Sequence, residues 1–323
     1  MSDLHLLPVP NQVKPDATRA GFGRGLVQAG ERDSRVVAAC ADLTGSIKMD
    51  AFQAQFPERF IEIGVAEQNL ATVGAGLALA GKIPFVASYA AFSPGRNWEQ
   101  IKTTACLNDV PVKIVGGHAG LYTGPDGATH QMLEDITLMR VMPRMVVLCP
   151  CDAEQAQKMT LAMAANPHPN YIRLCRENTP VITTAETPFE IGKAYVYAAG
   201  ADVTIVATGV MVYEALLAAE QLYKDGIDAE VLNVPTIKPL DETTILRSVR
   251  KTGCVVTAEE GQVAGGLGGA VAELLSENHP VPLQRVGMRD QYGESGEGKE
   301  LMEHFGLDAK HIRLVAHHVT ERK

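Results

Sequence analysis

Residues 60–81 read FIEIGVAEQNLATVGAGLALAG, and this stretch decides the fold. A short apolar run stops at Gly64, and a nearly uncharged segment of small residues follows, with Gly74 and Gly76 inside it. An apolar run ended by a glycine turn predicts a buried strand, and the small-residue segment predicts a buried helix. Glu67 is the acidic residue at the start of that helix. A buried carboxylate is costly unless something pairs with it or binds it. The plain explanation is an acid offsetting the positive end of the helix dipole, with Gln68 and Asn69 capping backbone groups. What argues for more is the company Glu67 keeps further along the chain.

Outward from this stretch, helices and strands alternate. A helix is predicted over residues 18–30, a strand over 35–40, and strands again over 82–88, 112–116, 145–149 and 171–175. Helical patterns fall between them, at 97–106, 132–139 and 152–165. A second alternation runs from ADVTIVATG at 201–209 through AEVLNV and CVVTAEE to VPLQRVG, with helices after Gly298. Strands alternating with helices indicate parallel sheets. The expected fold class is therefore α/β with two domains, each a mostly parallel sheet flanked by helices. The expected division is an N-terminal arm over 1–16, a first domain over 17–180, a proline-containing linker over 181–193 and a second domain over 194–323.

Composition narrows the function classes. At 323 residues, with 46% hydrophobic and 21% charged residues, the chain can bury two cores of ordinary size. A formal charge of −9, with no cluster of lysine, arginine and aromatic residues, argues against a nucleic-acid partner. The N-terminus lacks a basic and apolar leader, and no apolar run is long enough to span a bilayer, so no membrane association and a cytoplasmic location are expected. The six cysteines form no CxxC pair, which predicts free thiols in a reducing compartment and no zinc site.

Ligands of open parallel sheets gather beyond the carboxyl ends of the strands. Four loops fall there: ADLTGS, GVAEQN, YAAFSPGR and GGHAGLYTGPDGATHQ. If the strands are parallel, Asp42, Ser46, Glu67, Tyr89, Phe92, His118, Asp126 and His130 share one edge. A lone loop histidine is commonly just a solvated side chain. Two of them on the same edge as an isolated glutamate point instead to a site. Dinucleotide binding fits less well. Gly74 and Gly76 lie mid-helix, and AGGLGG at 264–269 follows the acidic pair Glu259 and Glu260, so a tight strand-to-helix turn is the better reading. Asp126-Gly127 looks like a fragment of a metal loop but lacks a second ligand at useful spacing, and no metal site is expected in this chain.

IEIGVAEQN, YAAFSPGRNWEQIK, GGHAGLYTGPDGATHQMLED and YIRLCREN together resemble the pyrimidine-binding domain of transketolase, and ADVTIVATG through AEEGQVAGGLGG is similar to that family's C-terminal domain. The resemblance implies thiamine diphosphate as cofactor and ketol transfer between sugar phosphates as the activity. Family members grip the cofactor's diphosphate through Mg2+ with a GDG…N motif, which has no counterpart here. The resemblance therefore implies the second subunit of a split enzyme. The first subunit would carry GDG…N, and the whole would be an α2β2 heterotetramer built on a homodimer of this chain. By motif position, Glu67 matches the glutamate that bonds the pyrimidine N1′, Phe92 the ring that stacks on the pyrimidine, and Tyr89 its neighbour. His118 and His130 match the substrate histidines, and Asp126 the acid that contacts the donor's C2 hydroxyl. Arg19, Ser46 and Arg176 match the groups that hold the sugar phosphate, and Asp42 a channel acid near the thiazolium. The loop SPGR carries one residue more before Arg96 than the family pattern, and Arg96 receives no role. The rival readings are the β-type subunit of a 2-oxoacid dehydrogenase, an enzyme similar to 1-deoxyxylulose-5-phosphate synthase, and a non-catalytic subunit. The joint presence of Arg19, Ser46, His118, Asp126 and Arg176 favours transketolase.

Overall fold

The computed structural model describes residues 4–9 and 13–323; the rest of the expected N-terminal arm, residues 1–3 and 10–12, lies outside the described residues. Two sheets organise the chain. The larger has seven strands in the order Thr236–Lys238, Val146–Leu148, Asn170–Arg173, Lys113–Gly117, Ile83–Tyr89, Val36–Cys40, Phe60–Glu62. Six of these pair in parallel, each pair joined through a helix-bearing crossover. The strand VVAAC is buried at all five positions, as expected of a parallel strand covered on both faces. The smaller sheet has five strands, Leu283–Met288, Val255–Gln262, Val203–Ala207, Ala229–Asn233 and Tyr195–Ala198, of which only the last is antiparallel.

Three pairings were not visible in the sequence pattern, among them the antiparallel edge strand Tyr195–Ala198 on Ala229–Asn233 of the smaller sheet. Pro15–Ala17 pairs antiparallel with Asn178–Pro180, so the start and the end of the first unit are stitched together. Thr236–Lys238, from the second unit, adds an antiparallel edge to the first unit's sheet. It covers the exposed edge of Val146–Leu148, and the two units thus share backbone hydrogen bonds. Residues 181–194 join the sheets without a strand or helix of their own.

The small residues of the first helix, Thr18–Arg32, explain its placement. A Cβ added at Gly21 would lie 1.9 Å from the carbonyl oxygen of Ala153, on the facing helix Ala153–Ala165. Only glycine lets the two backbones come that close. The predicted helix over 97–106 differs in detail. It opens at Trp98 and then widens to π spacing over Ile101–Cys106. Helices that widen in this way are frequent at functional sites, and this one follows the aromatic loop. No helix among the described residues is long and apolar enough to cross a membrane.

AGGLGG opens the helix Leu267–Asn278, and the chain itself fills the anion position at that helix start. The buried Glu259 carboxylate accepts the N–H groups of Leu267 at 2.8 Å and Gly268 at 2.7 Å. Burial pushes its carboxyl up to about 7, against the pull of those two donors. A dinucleotide phosphate therefore has no room there.

Candidate active site

The parallel strands Val36–Cys40, Phe60–Glu62, Ile83–Tyr89 and Lys113–Gly117 deliver their carboxyl ends, and the loops that follow them, to one edge. Glu67 is the first residue of the helix Glu67–Leu79 and is 2% exposed. Ser88 Oγ, near the end of the adjacent strand, donates to Glu67 Oε1 at 3.3 Å. Arg96 Nη1 donates to Oε2 at 3.1 Å. Asn97 Nδ2 donates to the Glu67 backbone carbonyl at 2.8 Å and to Ser93 Oγ at 3.2 Å. The aromatic loop is thus folded back onto the helix start by polar contacts at both ends of Glu67.

From there a string of rings leads across the edge. The Arg96 guanidinium lies 5.1 Å from the centre of Phe92. Phe92 and Tyr89 stack at 6.3 Å, and Tyr89 stacks on His118 at 3.9 Å. His130 sets its edge against Phe92 at 5.4 Å and Tyr89 at 6.2 Å, with Thr129 Oγ1 2.9 Å from its Nδ1. His118 is 2% exposed, and burial, with Arg19, Arg176 and His130 nearby, pushes its imidazole down to about 3. It is therefore neutral at physiological pH. Its φ of +52° is unusual for a residue with a side chain, and Thr123 Oγ1 secures it by donating to the His118 carbonyl at 2.5 Å.

The proposed phosphate groups flank this string. Arg19 Nη1 donates to the Ser46 carbonyl at 2.6 Å. Arg176 Nη1 donates to the Thr123 carbonyl at 2.8 Å and lies 3.8 Å from an Asp126 carboxylate oxygen. The structure thus brings Glu67, Phe92, Tyr89, His118 and His130 into one contact string, with Arg19, Ser46, Arg176 and Asp126 beside it. Asp42 stands apart. Its side chain is exposed, and it joins the edge through its N–H, which donates to Glu62 Oε1 at 2.7 Å.

The sequence reading missed Arg96, Ser88 and Asn97. Glu67 sits among the small residues that the sequence implied, yet its carboxylate also has an ionic partner. That partner could not be read from spacing, because Arg96 reaches back 29 positions from an irregular loop.

Residues 14–181 match the family model for the transketolase pyrimidine-binding domain, and residues 192–312 match that for the transketolase C-terminal domain. The chain belongs to the transketolase family. It is similar to a 6-deoxy-6-sulfo-D-fructose transketolase subunit of Clostridium sp. (strain MSTE9), with 48% identity over 298 residues, 92% of each chain. It is similar to an apulose-4-phosphate transketolase subunit of Phocaeicola vulgatus, with 38% identity over 93% of this chain and 96% of that one. Among solved structures it resembles a split gene transketolase described as an inactive β4 tetramer. The TM-score is 0.90 and the identity 43%, over 95% of this chain and 99% of that one. Membership of the pyrimidine-binding family implies thiamine diphosphate.

The residues present fit one half of that cofactor. Glu67 and the faces of Phe92 and Tyr89 offer a buried carboxylate beside aromatic walls. Buried Arg19 Nε and His118 Nδ1 have no hydrogen-bond partner among the described residues, as expected of groups that serve a polar ligand. Among the described residues no group of three acidic, histidine or cysteine side chains could hold a metal ion.

Proposed function

We propose that the chain is the pyrimidine-binding subunit of a thiamine diphosphate-dependent transketolase that moves a two-carbon ketol unit between sugar phosphates in the cytoplasm. Its partner is an N-terminal subunit carrying GDG…N, which anchors the diphosphate through Mg2+. The assembly is a heterotetramer built on a homodimer of this chain. The observation that carries this reading is the buried Glu67 carboxylate at a helix start, linked through Arg96 to a string of rings that ends on two histidines, with Arg19 and Arg176 close by. An exposed, uncharged face supports the need for a partner. On the Glu67 helix Leu79 is 68% exposed and Asn69, Thr72 and Gly76 are exposed with it, and Val65, just before the helix, is 72% exposed.

Thiamine diphosphate, when bound, supplies the carbon centre that breaks and remakes the bond next to a ketose carbonyl. Glu67 would hold a proton at a carboxyl oxygen for the pyrimidine nitrogen, and Arg96 would yield Oε2 to make room for it. Phe92 and Tyr89 give the pyrimidine ring faces to lie against, and Asp42 is assigned a place on the thiazolium side. His118, being neutral, both donates to and accepts from sugar hydroxyls without adding charge. His130, edge-on to the Phe92 and Tyr89 rings, exchanges protons with the sugar. Asp126 accepts from the donor's C2 hydroxyl, while Arg19, Ser46 and Arg176 take the phosphate.

The test is reconstitution. This chain and its candidate partner are mixed with cofactor and Mg2+, and transfer from a ketose phosphate to an aldose phosphate is followed. Glu67→Gln should fold yet lose most of the transfer, on the order of 100-fold or more, since an amide cannot pass the proton. A variant that keeps more than about a tenth of the wild-type rate removes Glu67 from the chemistry. Turnover of pyruvate with a lipoyl acceptor removes the sugar-phosphate reading.

A further inference from the structure

The loop that carries His118, Asp126 and His130 rests on the second unit of the chain, and one side chain there holds its first turn. Glu260 is 2% exposed and lies on the strand Val255–Gln262. Its Oε1 accepts the Tyr122 N–H at 2.9 Å, four residues after His118. Its Oε2 pairs with Arg173 Nη1 at 3.0 Å, and its backbone carbonyl accepts from Arg173 Nη2 at 2.6 Å. Arg173 Nε in turn reaches Asp135 Oδ2 at 3.1 Å, and the Tyr171 hydroxyl donates to the same oxygen at 2.7 Å. All four side chains are buried.

The loop is built to receive that carboxylate. Gly120 has φ +80°, and a Cβ there would lie 2.2 Å from the Glu260 carboxyl carbon. A glycine is therefore required both for the turn and for the approach. Two residues earlier, His118 sits at φ +52°, a backbone state that persists only where the surroundings enforce it. Gln131 Nε2 closes the far end of the loop on the second unit by donating to the Glu294 carbonyl at 2.8 Å.

We propose that Glu260 is the positioning residue that holds the histidine loop in register with the aromatic string. Its part is the acceptor bond to the Tyr122 N–H, while the ion pair to Arg173 balances the buried charge. The second unit of the chain thereby acts on a site whose residues all belong to the first. This rests on the reading that His118, His130 and Asp126 serve the substrate.

Two variants of the full-length chain separate positioning from plain stability. Glu260→Asp keeps the charge opposite Arg173 but withdraws the carboxylate from Tyr122 by one methylene. Glu260→Gln keeps the length and the acceptor but loses the charge. The readout is the ring-proton shift of His118 in histidine-labelled chain, assigned by comparison with His118→Asn. The Tyr89 ring at 3.9 Å displaces that signal from the value of a free histidine. Glu260→Asp should lose at least half of the displacement, and Glu260→Gln should restore it. With the partner subunit, ketol transfer should fall about tenfold or more in the Asp variant, because small misplacements of reacting groups cost that much. If the Gln variant is disturbed more than the Asp variant, or if neither moves the His118 signal, the proposal is overturned and Glu260 is only part of an ion pair. A fall in transfer with His118 unmoved overturns it as well. A displaced His118 with transfer intact leaves Glu260 as the positioner and removes the histidine from the proposed reaction. Should Glu260→Asp not fold, Glu260→Ala combined with Arg173→Met and Asp135→Asn removes the same acceptor without leaving a buried charge, and the same shift is read.

Discussion

His118 makes the protein sensitive to acid by an amount the structure sets. Its imidazole is pushed from the ordinary 6.5 down to about 3, first by burial and then by the charges of Arg19, Arg176 and His130. A histidine whose folded value lies below its unfolded value binds fewer protons when folded, so acid favours the unfolded chain. The stability at stake is whole above pH 6.5 and is lost as pH falls toward 3, at about 1.4 kcal/mol per pH unit. Between pH 7 and pH 5 this one residue should remove about 2 kcal/mol. His118→Asn is the suitable perturbation, because asparagine tolerates the φ of +52° that the position requires. The assay is urea unfolding of wild type and variant at pH 7, 6 and 5. The variant should be less stable at pH 7 because it loses the stacking on Tyr89, yet its stability should decline less with acid, by about 2 kcal/mol over the two units. All other titrating groups are common to both proteins and cancel. Equal pH slopes for the two proteins would refute the claim that His118 is held neutral by its surroundings.

Arg176→Ala, with the partner subunit present, should raise KM for phosphorylated ketoses while leaving kcat nearly unchanged, since the phosphate is held alike in ground and transition states. A donor without phosphate, such as hydroxypyruvate, should be almost indifferent, and equal losses for both donors would count against a phosphate contact. The chain alone should bind thiamine diphosphate weakly in calorimetry, and micromolar, Mg2+-dependent binding without partner would contradict the split site. Arg96→Met leaves the Glu67 carboxylate with Ser88 as its remaining side-chain partner, and, since the arginine is 52% exposed, the expected loss is about 1 kcal/mol in urea unfolding at pH 7. An unchanged midpoint would mean that the pair does not hold in solution. Gly21→Ala drives a methyl group to within 1.9 Å of the Ala153 carbonyl and should cost about 3 kcal/mol or more, with wild-type stability as the contrary result.

What the sequence made legible, and what it hid, divides along the range of the contacts. Much of the strand-and-helix order was readable because each parallel strand is a short apolar run, but the helix Asp50–Gln55 and the edge strand Tyr195–Ala198 were not. Parallel strands in turn force their following loops to one edge, which is why Glu67, Tyr89, Phe92, His118 and His130 could be placed together before any distance was known. The edge strand Thr236–Lys238 is three residues long, too short to carry a period, and its partner Val146–Leu148 lies about 90 positions away. Arg96, Glu260 and Arg173 were hidden for a related reason. A charged residue in a loop or a strand looks the same in sequence whether it meets water or a buried counter-charge, and the difference here is made by side chains 29 and 87 positions apart. The acidic pair Glu259–Glu260 shows this within two adjacent residues. Successive side chains of a strand point to opposite faces, so Glu259 turns to the helix start at Leu267 and Glu260 to the histidine loop. The alternation of the strand could be read in advance, but what waits on each face is set by the packing of one unit against the other. The reach from Glu260 to Tyr122 is therefore a property of the assembled pair of units, and it ties the geometry of the proposed site to the interface between them.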